Sequence, residues 1–312
     1  MNNKLLIMGS NSFFSKAILN HICKNKKIYV KKFSTIILFS RRVNKNPIIS
    51  TLKKYFNIII LKEDIFTIQS IPEAKYIIYC LLVEDFAKDF EASKRFIKLI
   101  KNFKIKSTII YTSSGAVYGP NCSAYSKIKE NSDNKNFLNY NSYKKKYSLN
   151  KLKSEQLYKK LKILGFKIAI LRCFSFVGKD LPGNKNYVIK DFVDSVIKSR
   201  TIYAKSNTPV IRSYMHQDDL ARWLLHILFN IKKNFSIYNF GSDNPLSIHN
   251  LAKYLAKKYK LKYKSNFTQR KPIDNYTPNT DKIKKDFKLK LNFDSINATI
   301  KTISDIEKNI VK

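Results

Sequence analysis

The chain has 312 residues, and its 44% hydrophobic content, with 21 Phe and 19 Tyr, supplies a sizeable core and excludes a disordered protein. Its formal net charge of +38 invites a nucleic-acid-binding interpretation. Eight of its 60 basic residues are Arg, however, and the Lys residues are spread over the whole length. A nucleic-acid interface would concentrate Arg and interleave aromatic side chains. We therefore predict no specific nucleic-acid partner and expect the basic surface to attract phosphate-bearing small molecules.

The sequence also bears on the compartment. Its four Cys form no Cys-x-x-Cys pair, which is typical of unpaired, buried thiols in a reducing compartment. The apolar N-terminal run Leu5–Met8 is too short for a signal peptide, and no run reaches membrane-spanning length. We therefore expect a cytoplasmic protein with no membrane partner, and we predict no metal site.

Short apolar runs alternate with amphipathic segments through the first 178 residues. The predicted strands are Lys4–Met8, Thr35–Phe39, Asn57–Leu61, Tyr76–Leu82, the run from Thr108 to Ser114, and Lys167–Phe174. The predicted helices run from the first turn through Cys23, over Phe86–Phe103, and from near Tyr147 to Leu164, where Gly165 is a natural C-cap. This alternation predicts a parallel sheet covered by helices on both faces.

After Gly178 the alternation of strands and helices changes. The predicted elements there are a helix over Tyr187–Lys198, an edge followed by a helix over Ser213–Asn230, a strand over Ser236–Phe240, a helix over Ile248–Lys258 with Ser247 as its N-cap, and a last helix near Ile296–Ile310. The pattern predicts one domain over residues 1–178, to which 213–246 return, and a smaller lobe from 179–212 and 247–312.

A strand that ends in hydroxyl groups is followed, after a polar loop, by a Tyr–Lys pair. The strand ends at Ser114, and Tyr147 and Lys151 stand four residues apart, which places both side chains on one helix face. An ammonium at ~4 Å stabilises a phenolate by about 4 kcal/mol at an effective dielectric of ~20, enough to bring a Tyr pKa of ~10 near 7. The spacing alone is weak evidence, because five Tyr residues in this chain precede a Lys by four positions. At this point Tyr140 remains the nearest rival.

The first turn occupies the place of a dinucleotide-binding fingerprint. It reads GSNSFFS over residues 9–15 and follows the first predicted strand. Of the three fingerprint glycines it keeps Gly9, while Ser12 and Ser15 occupy the other positions. A small residue still lets a pyrophosphate approach the N-terminus of the following helix. The turn therefore indicates a dinucleotide site of unusual sequence.

The end of the second predicted strand bears on the choice between NAD and NADP. An acidic residue there would bind the ribose 2′-hydroxyl of NAD, but the chain has Ser40, Arg41 and Arg42. Two guanidinium groups suit a 2′-phosphate, and the alternative is a pair of ordinary surface arginines. The pattern favours NADP over NAD.

Seven segments, taken in order, resemble the extended short-chain dehydrogenase/reductase family of nucleotide-sugar epimerases, dehydratases and reductases. They are GSNSFFS, Asp64-Ile65, TSSGAVYG, YSLNKLKSE, LRCFSFVG, RSYMHQDDLA and YNFGSDNPLSI. Each is weak alone, but together they cover most of the chain in the family's order. The resemblance implies a doubly wound parallel sheet, a Rossmann fold, in residues 1–178 and 213–246. It further implies a small C-terminal α+β substrate lobe in 179–212 and 247–312.

The resemblance implies a role for each matched position. The implied catalytic residues are Ser114, Tyr147 and Lys151, which decides against Tyr140. The cofactor site then comprises Gly9, Ser12, Phe13, Phe14, Ser40, Arg41, Arg42, Asp64, Ile65, Tyr147 and Lys151. The implied substrate contacts are Ser114, Ser175, Arg212 and Arg270. His216 and Asp219 fall in a His-x-x-Asp stretch that we interpret as structural.

One departure from the family bears on the reaction. The family's 4,6-dehydratases carry Asp-Glu after the catalytic Thr, and here those positions hold Gly115 and Ala116. We therefore predict that the enzyme does not dehydrate its substrate. Hydride transfer at one sugar carbon, C4 or a neighbour, remains: epimerisation if the cofactor stays bound, or ketosugar reduction if it exchanges. The arginines favour reduction with NADP, and the family in general favours epimerisation.

Two other classes of function stay open. The missing glycines are compatible with a non-catalytic protein that binds a dinucleotide as a sensor or scaffold. The charge is compatible with a basic protein that associates with nucleic acid non-specifically. The resemblance also implies a homodimer, for which the helices Lys88–Phe103 and Tyr147–Leu164 would supply the interface.

Overall fold

A computed structural model describes residues 3–42, 47–83, 85–123, 126–132, 138–139, 141–183, 187–268 and 272–310. The strands are β1 Lys4–Met8, β2 Thr35–Phe39, β3 Asn57–Leu61, β4 Tyr76–Tyr79, β5 Thr108–Ser114, β6 Lys167–Cys173, β7 Phe176–Val177, β8 Ile202–Ala204, β9 Val210–Arg212, β10 Met215–His216, β11 Phe235–Phe240, β12 Leu246–Ser247, β13 Tyr263–Ser265 and β14 Asp274–Tyr276. The helices are α1 Phe13–Lys24, α2 Lys26–Tyr29, α3 Pro47–Leu52, α4 Phe86–Ile100, α5 Ser142–Lys160, α6 Val188–Ile197, α7 Gln217–Asn230, α8 Ile248–Lys258, α9 Asp281–Phe287 and α10 Ser295–Ile310.

The chain divides into two compact units. The first comprises Met1–Val117, Tyr140–Arg172 and Ala221–Tyr238. The second comprises Tyr118–Asn139, Cys173–Leu220 and Asn239–Lys312.

The first unit is built on a seven-stranded parallel sheet with the order β11-β6-β5-β4-β1-β2-β3. Its strands are almost continuous apolar runs, as expected for strands that are covered on both faces. In register, Leu6 of β1 lies opposite Ile37 of β2 and Ile77 of β4, and all three side chains are fully buried. The chain leaves β1 for β2 on one side and returns as β4 on the other. In such sheets this switch point is where ligands bind, at the carboxyl ends of the strands.

The second unit has a core of its own. Helices α6, α8 and α10 bury one apolar face each, represented by Phe192, Leu251 and Ile303. Short strands complete the unit: β9 pairs antiparallel with β12 and parallel with β14, β8 pairs with β13, and β7 pairs with β10.

The structure corrects three details of the sequence prediction. Helix α5 begins at Ser142, not near Tyr147, because the side chain of Asn141 caps it by accepting the Lys144 N–H at 3.0 Å. The strand predicted over Tyr76–Leu82 ends at Tyr79, where the chain turns past Gly9. Ser247 precedes α8 as predicted, but its side chain makes no capping hydrogen bond. Gly165 does end the helical segment, with φ +85°.

The cysteines are free thiols, and their burial varies. Cys80 and Cys173 are buried, Cys23 is half-buried and Cys122 is exposed, so the expectation of buried thiols fails at Cys122. Within the described residues, none of the helices combines the length and the apolar character that crossing a membrane requires.

Candidate active site

The turn between β1 and α1 lies against the neighbouring strands. Gly9 has φ +92°, and a Cβ on it would lie 2.8 Å from the Cys80 carbonyl oxygen and from the Leu81 backbone. The N–H groups of Gly9 and Ser10 both donate to the Phe39 carbonyl at 3.0 Å. Only glycine fits this position, because a side chain would be strained in φ and would meet backbone atoms. The turn is therefore fixed at the switch point of the sheet.

Two serines stand where the fingerprint has glycine. Ser12 is the N-cap of α1: its Oγ accepts the Ser15 N–H at 3.1 Å and donates to Cys80 Sγ at 3.2 Å. Burial raises the pKa of the Cys80 thiol to about 12, so this sulfur stays protonated. The hydroxyls of Ser10 and Ser15 are buried and have no hydrogen-bond partner among the described residues. Unused hydroxyls beside a helix N-terminus suit the pyrophosphate of a dinucleotide.

The residues predicted to contact the adenosine half of the cofactor lie together after β2 and β3. The Ser40 N–H donates to the Leu61 carbonyl at 3.1 Å, and the Asn11 amide donates to Ser40 Oγ and to the Arg42 carbonyl. Arg41 is exposed, with Nη1 4.0 Å from Asp64 Oδ2. The next residue, Ile65, is buried in the core of the first unit. This edge of the sheet therefore presents the exposed side chains of Arg41 and Arg42, with the Asp64 carboxylate beside Arg41.

The hydroxyl groups at the end of β5 have different partners. Ser113 Oγ donates to Glu155 Oε1 at 2.6 Å, and the Thr112 hydroxyl donates to the Tyr79 carbonyl at 3.1 Å. Ser114 Oγ instead accepts the Ala116 N–H at 3.1 Å. An oxygen that accepts in this way keeps its own proton available for donation. Of the three, Ser114 is the hydroxyl suited to binding a substrate oxygen.

Helix α5 is joined to the turn that follows Ser114. Ser148 Oγ donates to the Ala116 carbonyl at 2.9 Å, so Tyr147, its neighbour in sequence, is held beside that turn. Lys151 is buried, and its Nζ lies 5.8 Å from the centre of the half-buried Tyr147 ring. The structure therefore brings together the three residues predicted to be catalytic.

Lys151 has a partner that the sequence prediction missed. Its Nζ lies 3.0 Å from Asp89 Oδ2 on α4, and each side chain is 4% exposed. Asp89 Oδ1 accepts the Val83 N–H at 3.1 Å. Burial lowers the pKa of Lys151, but Tyr111, Asp89 and Tyr147 together outweigh it and raise that pKa well above its ordinary value. Lys151 is therefore an ammonium at neutral pH.

A second buried ion pair fixes the position of α5. Arg172 of β6 binds Glu155 through two hydrogen bonds, Nε to Oε1 at 3.1 Å and Nη2 to Oε2 at 2.8 Å. The same Oε1 accepts from Ser113 of β5. Both charged side chains are at most 4% exposed. The pair therefore ties α5, two turns after Tyr147, to two central strands.

Of the predicted substrate-binding residues that the structure describes, Ser114 belongs to the first unit, and Ser175 and Arg212 belong to the second. Arg212 binds Asp274, with Nη2 2.6 Å from Oδ2 and Nη1 donating to the Asp274 carbonyl at 2.9 Å. Its guanidinium also lies 5.9 Å from the centre of the Tyr276 ring. The Ser175 carbonyl accepts the Met215 N–H at 3.1 Å. Arg270 lies outside the described residues.

The His-x-x-Asp stretch is engaged within the second unit. Asp219 Oδ2 accepts the N–H groups of Asn292 at 2.9 Å and Phe293 at 3.2 Å. His216 is fully buried, and burial lowers its pKa against the opposing effect of nearby carboxylates. These contacts agree with the structural interpretation of the stretch.

Comparison with known proteins identifies the family. A model of the NAD-dependent epimerase/dehydratase family matches residues 82–241, a little over half of the chain. No curated protein matches the sequence significantly. A dTDP-glucose 4,6-dehydratase from Bacillus anthracis, solved with NAD, has 14% identity and a TM-score of 0.77, with 98% of this chain and 97% of that chain covered.

Two epimerases are also similar in structure. The UDP-glucose 4-epimerase from Bifidobacterium longum, solved with NAD+ and UDP, has 18% identity and a TM-score of 0.75, with 99% of each chain covered. A UDP-N-acetylglucosamine 4-epimerase from Methanobrevibacter ruminantium has 17% identity and a TM-score of 0.74, with 99% of this chain and 100% of that chain covered. Likeness at this identity shows the fold, so the predicted doubly wound Rossmann fold is confirmed. The chain belongs to the NAD-dependent epimerase/dehydratase family.

Proposed function

We propose that the protein is an NAD(P)-dependent epimerase or ketosugar reductase that acts on a nucleotide-linked sugar at C4 or a neighbouring carbon. One observation carries the proposal. The Ser148–Ala116 bond joins α5, which carries Tyr147 and Lys151, to the turn after Ser114, and the Lys151–Asp89 and Glu155–Arg172 pairs fix α5 further; this arrangement supports the three residues as one site. A nicotinamide dinucleotide, when bound, supplies reversible hydride transfer. The chain supplies a proton-transfer group, an orienting hydroxyl and a fixed positive charge.

Each of the three residues has a distinct role in the proposal. Tyr147 accepts the proton of the sugar hydroxyl as hydride leaves the same carbon, and returns it in the reverse direction. Ser114, which accepts from the Ala116 N–H, donates its own hydrogen bond to that sugar oxygen. The buried Lys151 ammonium stabilises the negative charge that develops on the phenol oxygen of Tyr147. The reaction needs no further acid or base at a second carbon.

The cofactor-binding residues of the proposal all lie in the first unit. The pyrophosphate is bound at the turn of residues 9–15, where Phe13 and Phe14 open α1, and the adenosine half near Asp64 and Ile65. Lys151 also holds the nicotinamide ribose. The exposed guanidinium groups of Arg41 and Arg42 favour a 2′-phosphate, and hence NADP.

The turn after Ser114 argues against dehydration. Loss of water needs an acid for the departing hydroxyl and a base for the proton beside the carbonyl. Gly115 and Ala116 provide neither, and the Ala116 backbone already binds Ser114 and Ser148. A solved dehydratase and solved epimerases have similar folds. The fold therefore does not separate the two reactions, and our proposal against dehydration rests on Gly115 and Ala116.

Besides Ser114, the residues proposed to bind the substrate belong to the second unit. Arg212, which binds Asp274, and Arg270 are the candidates for its diphosphate, and Ser175 is a candidate for a further polar contact. We also propose a homodimer formed through α4 and α5. The expectation that the protein is cytoplasmic remains a prediction.

The test of the proposal is the Tyr147→Phe variant, with product analysis on UDP- and dTDP-sugars. This variant is expected to retain the ability to bind reduced dinucleotide and to lose about 10³-fold in turnover, within the usual range for an acid–base group of ~10²–10⁴. Tyr143→Phe, on an exposed Tyr four residues earlier in α5, is the control and should keep full activity. Unchanged turnover in Tyr147→Phe would remove Tyr147 from the mechanism.

A non-catalytic dinucleotide sensor is the second candidate. It is favoured by one observation, the replacement of two fingerprint glycines by Ser12 and Ser15. It predicts tight dinucleotide binding without turnover of any nucleotide-sugar. Binding that is accompanied by turnover would reject it.

A further inference from the structure

We propose that Asp89 is a positioning residue of this active site, whose carboxylate keeps the Lys151 side chain charged and fixed in place. The inference rests on the proposed function, because it assigns a role in the same site. It is carried by geometry: Asp89 and Lys151 come from different helices, lie 3.0 Å apart and are each 4% exposed. The second carboxylate oxygen of Asp89 is fixed by the Val83 N–H at 3.1 Å. The carboxylate therefore has both oxygens engaged and a defined orientation.

The place of Asp89 on its helix is unusual for a carboxylate. Asp89, Ala92, Ser93 and Phe96 share the buried face of α4 at helical spacing, and all four are at most 3% exposed. An acid on such a face is strongly unfavourable unless an opposite charge meets it. Among the described residues, Asp89 is the carboxylate that lies within 4.0 Å of Lys151 Nζ. The attraction between the two charges therefore offsets the free-energy cost of burying each of them.

The other groups around Lys151 do not replace Asp89. The titratable side chains that face the ammonium or its phenol neighbours are Tyr79 of β4, Tyr111 of β5, and Tyr147, Glu155 and Tyr158 of α5. Burial raises the pKa of Tyr111 to about 12, and it raises the pKa of Tyr79 and of Tyr158 as well, so these phenols are neutral at neutral pH. The raising effect of Tyr111 on the Lys151 pKa therefore sets in only where that phenol ionises, and at neutral pH the carboxylate of Asp89 is the opposite charge beside Lys151. Glu155 is neutralised by Arg172.

The neutral side chains of this cluster also do little to stabilise the Lys151 ammonium. Within the described residues, the buried hydroxyls of Tyr79, Ser93, Tyr111, Ser154 and Tyr158 make no hydrogen bond to the Lys151 ammonium. The Lys151 Nζ lies 5.4 Å from the Tyr111 ring centre, an attractive but weak contact. Without Asp89, burial would therefore dominate and favour a neutral Lys151. Buried lysines without a counter-ion reach pKa values of about 5–6.

The proposal predicts that Lys151 loses its proton at a lower pH in the Asp89→Asn variant than in the wild type. Above the lowered pKa of Lys151, the variant has no positive charge beside Tyr147, and turnover is expected to fall tenfold per pH unit. Affinity for reduced dinucleotide, measured by its fluorescence, is expected to fall in the same range. The wild type should show neither loss between about pH 6 and 9, because its Lys151 pKa is raised. Glu91→Gln, an exposed carboxylate of the same helix that binds Lys94, is the matched control and should behave as the wild type.

A stability measurement tests the same charge without relying on activity. In Asp89→Asn the folded-state pKa of Lys151 is expected below its unfolded value of about 10.4, so the unfolded chain binds more protons between the two values. The melting temperature of Asp89→Asn should therefore rise with pH across this window, relative to Asp89→Asn/Lys151→Met, which has no titrating group there. The wild type should lack this rise, because its raised Lys151 pKa keeps the pair intact below about pH 10.

The outcomes separate this inference from the proposed function. A pH-dependent rise in melting temperature, with a matching new ionisation in dinucleotide affinity, supports the role of Asp89 even if no nucleotide-sugar is turned over. Parallel melting curves for the single and double variants would overturn it. A new ionisation in stability that leaves both turnover and dinucleotide affinity unaffected would also overturn it. If Asp89→Asn does not fold, recovery of folding in the double variant supports the unpaired charge as the cause, and failure of both overturns it.

Discussion

The buried Glu155–Arg172 pair is predicted to be a main determinant of how firmly α5 holds Tyr147. Arg172→Met keeps the side-chain length but leaves Glu155 with the Ser113 hydroxyl and without two charge-assisted bonds, of 2.8 and 3.1 Å. Leaving one member of a buried pair unpaired costs about 3–5 kcal/mol. That is a large share of a total stability of roughly 5–15 kcal/mol.

Unfolding in urea measures this loss directly. The single Trp of the chain, Trp223, is fully buried in α7, so its fluorescence reports unfolding without a label. Arg172→Met/Glu155→Gln is the matched variant, because it removes both charges; it should regain most of the stability that Arg172→Met loses. The reasoning would be refuted by a loss under about 1 kcal/mol in Arg172→Met, or by a double variant no more stable than the single one.

Two further predictions concern the cofactor. Gly9→Ala should abolish dinucleotide binding and lower stability by more than the ~1–2 kcal/mol of a strained φ, because its Cβ would also meet the backbone at 2.8 Å. Gly183→Ala, whose Cβ would meet no atom of the described residues within 4 Å, should do neither. Equal dinucleotide affinity in the two variants would contradict the assignment of the turn. Arg41→Ser/Arg42→Ser should weaken NADPH binding at least tenfold and leave NADH binding unchanged, as measured by reduced-dinucleotide fluorescence. A wild-type preference for NADH would contradict the prediction, and the exposed Arg200, changed to Ser, serves as the control.

The strands of the central sheet were predictable because each is indicated by the apolar residues of its own short segment. Strands such as Thr35–Phe39 and Asn57–Leu61 are continuous β-branched or apolar runs, and the structure has them with the predicted bounds. The start of α5 was not predictable from periodicity, because the helix opens with exposed polar residues and depends on one cap from Asn141. The short strands of the second unit, such as Val210–Arg212, are too brief to show a period of two.

The candidate site likewise contains residues that the sequence predicted and one that it missed. Ser114, Tyr147 and Lys151 could be selected from the sequence because seven ordered segments resemble the family; the Tyr–Lys spacing alone occurs five times in the chain. Asp89 was missed because its partner lies on another helix, which no spacing within α4 reveals. One signal did exist in the sequence. Asp89 shares a helix face with Ala92 and Phe96, and a charged side chain on such an apolar face requires a buried partner of opposite charge.

The central claim is that the chain moves hydride at a single sugar carbon with Tyr147 as the proton-transfer group. The most direct measurement mixes the wild-type protein with reduced dinucleotide (NADPH or NADH) deuterated at the transferring carbon and with UDP- or dTDP-ketosugars, and locates the label by NMR. The account predicts deuterium on the carbon that bore the ketone, in a product that keeps all its oxygens, and no label transfer with Tyr147→Phe. A product that has lost water, or equal transfer with Tyr147→Phe, would contradict it.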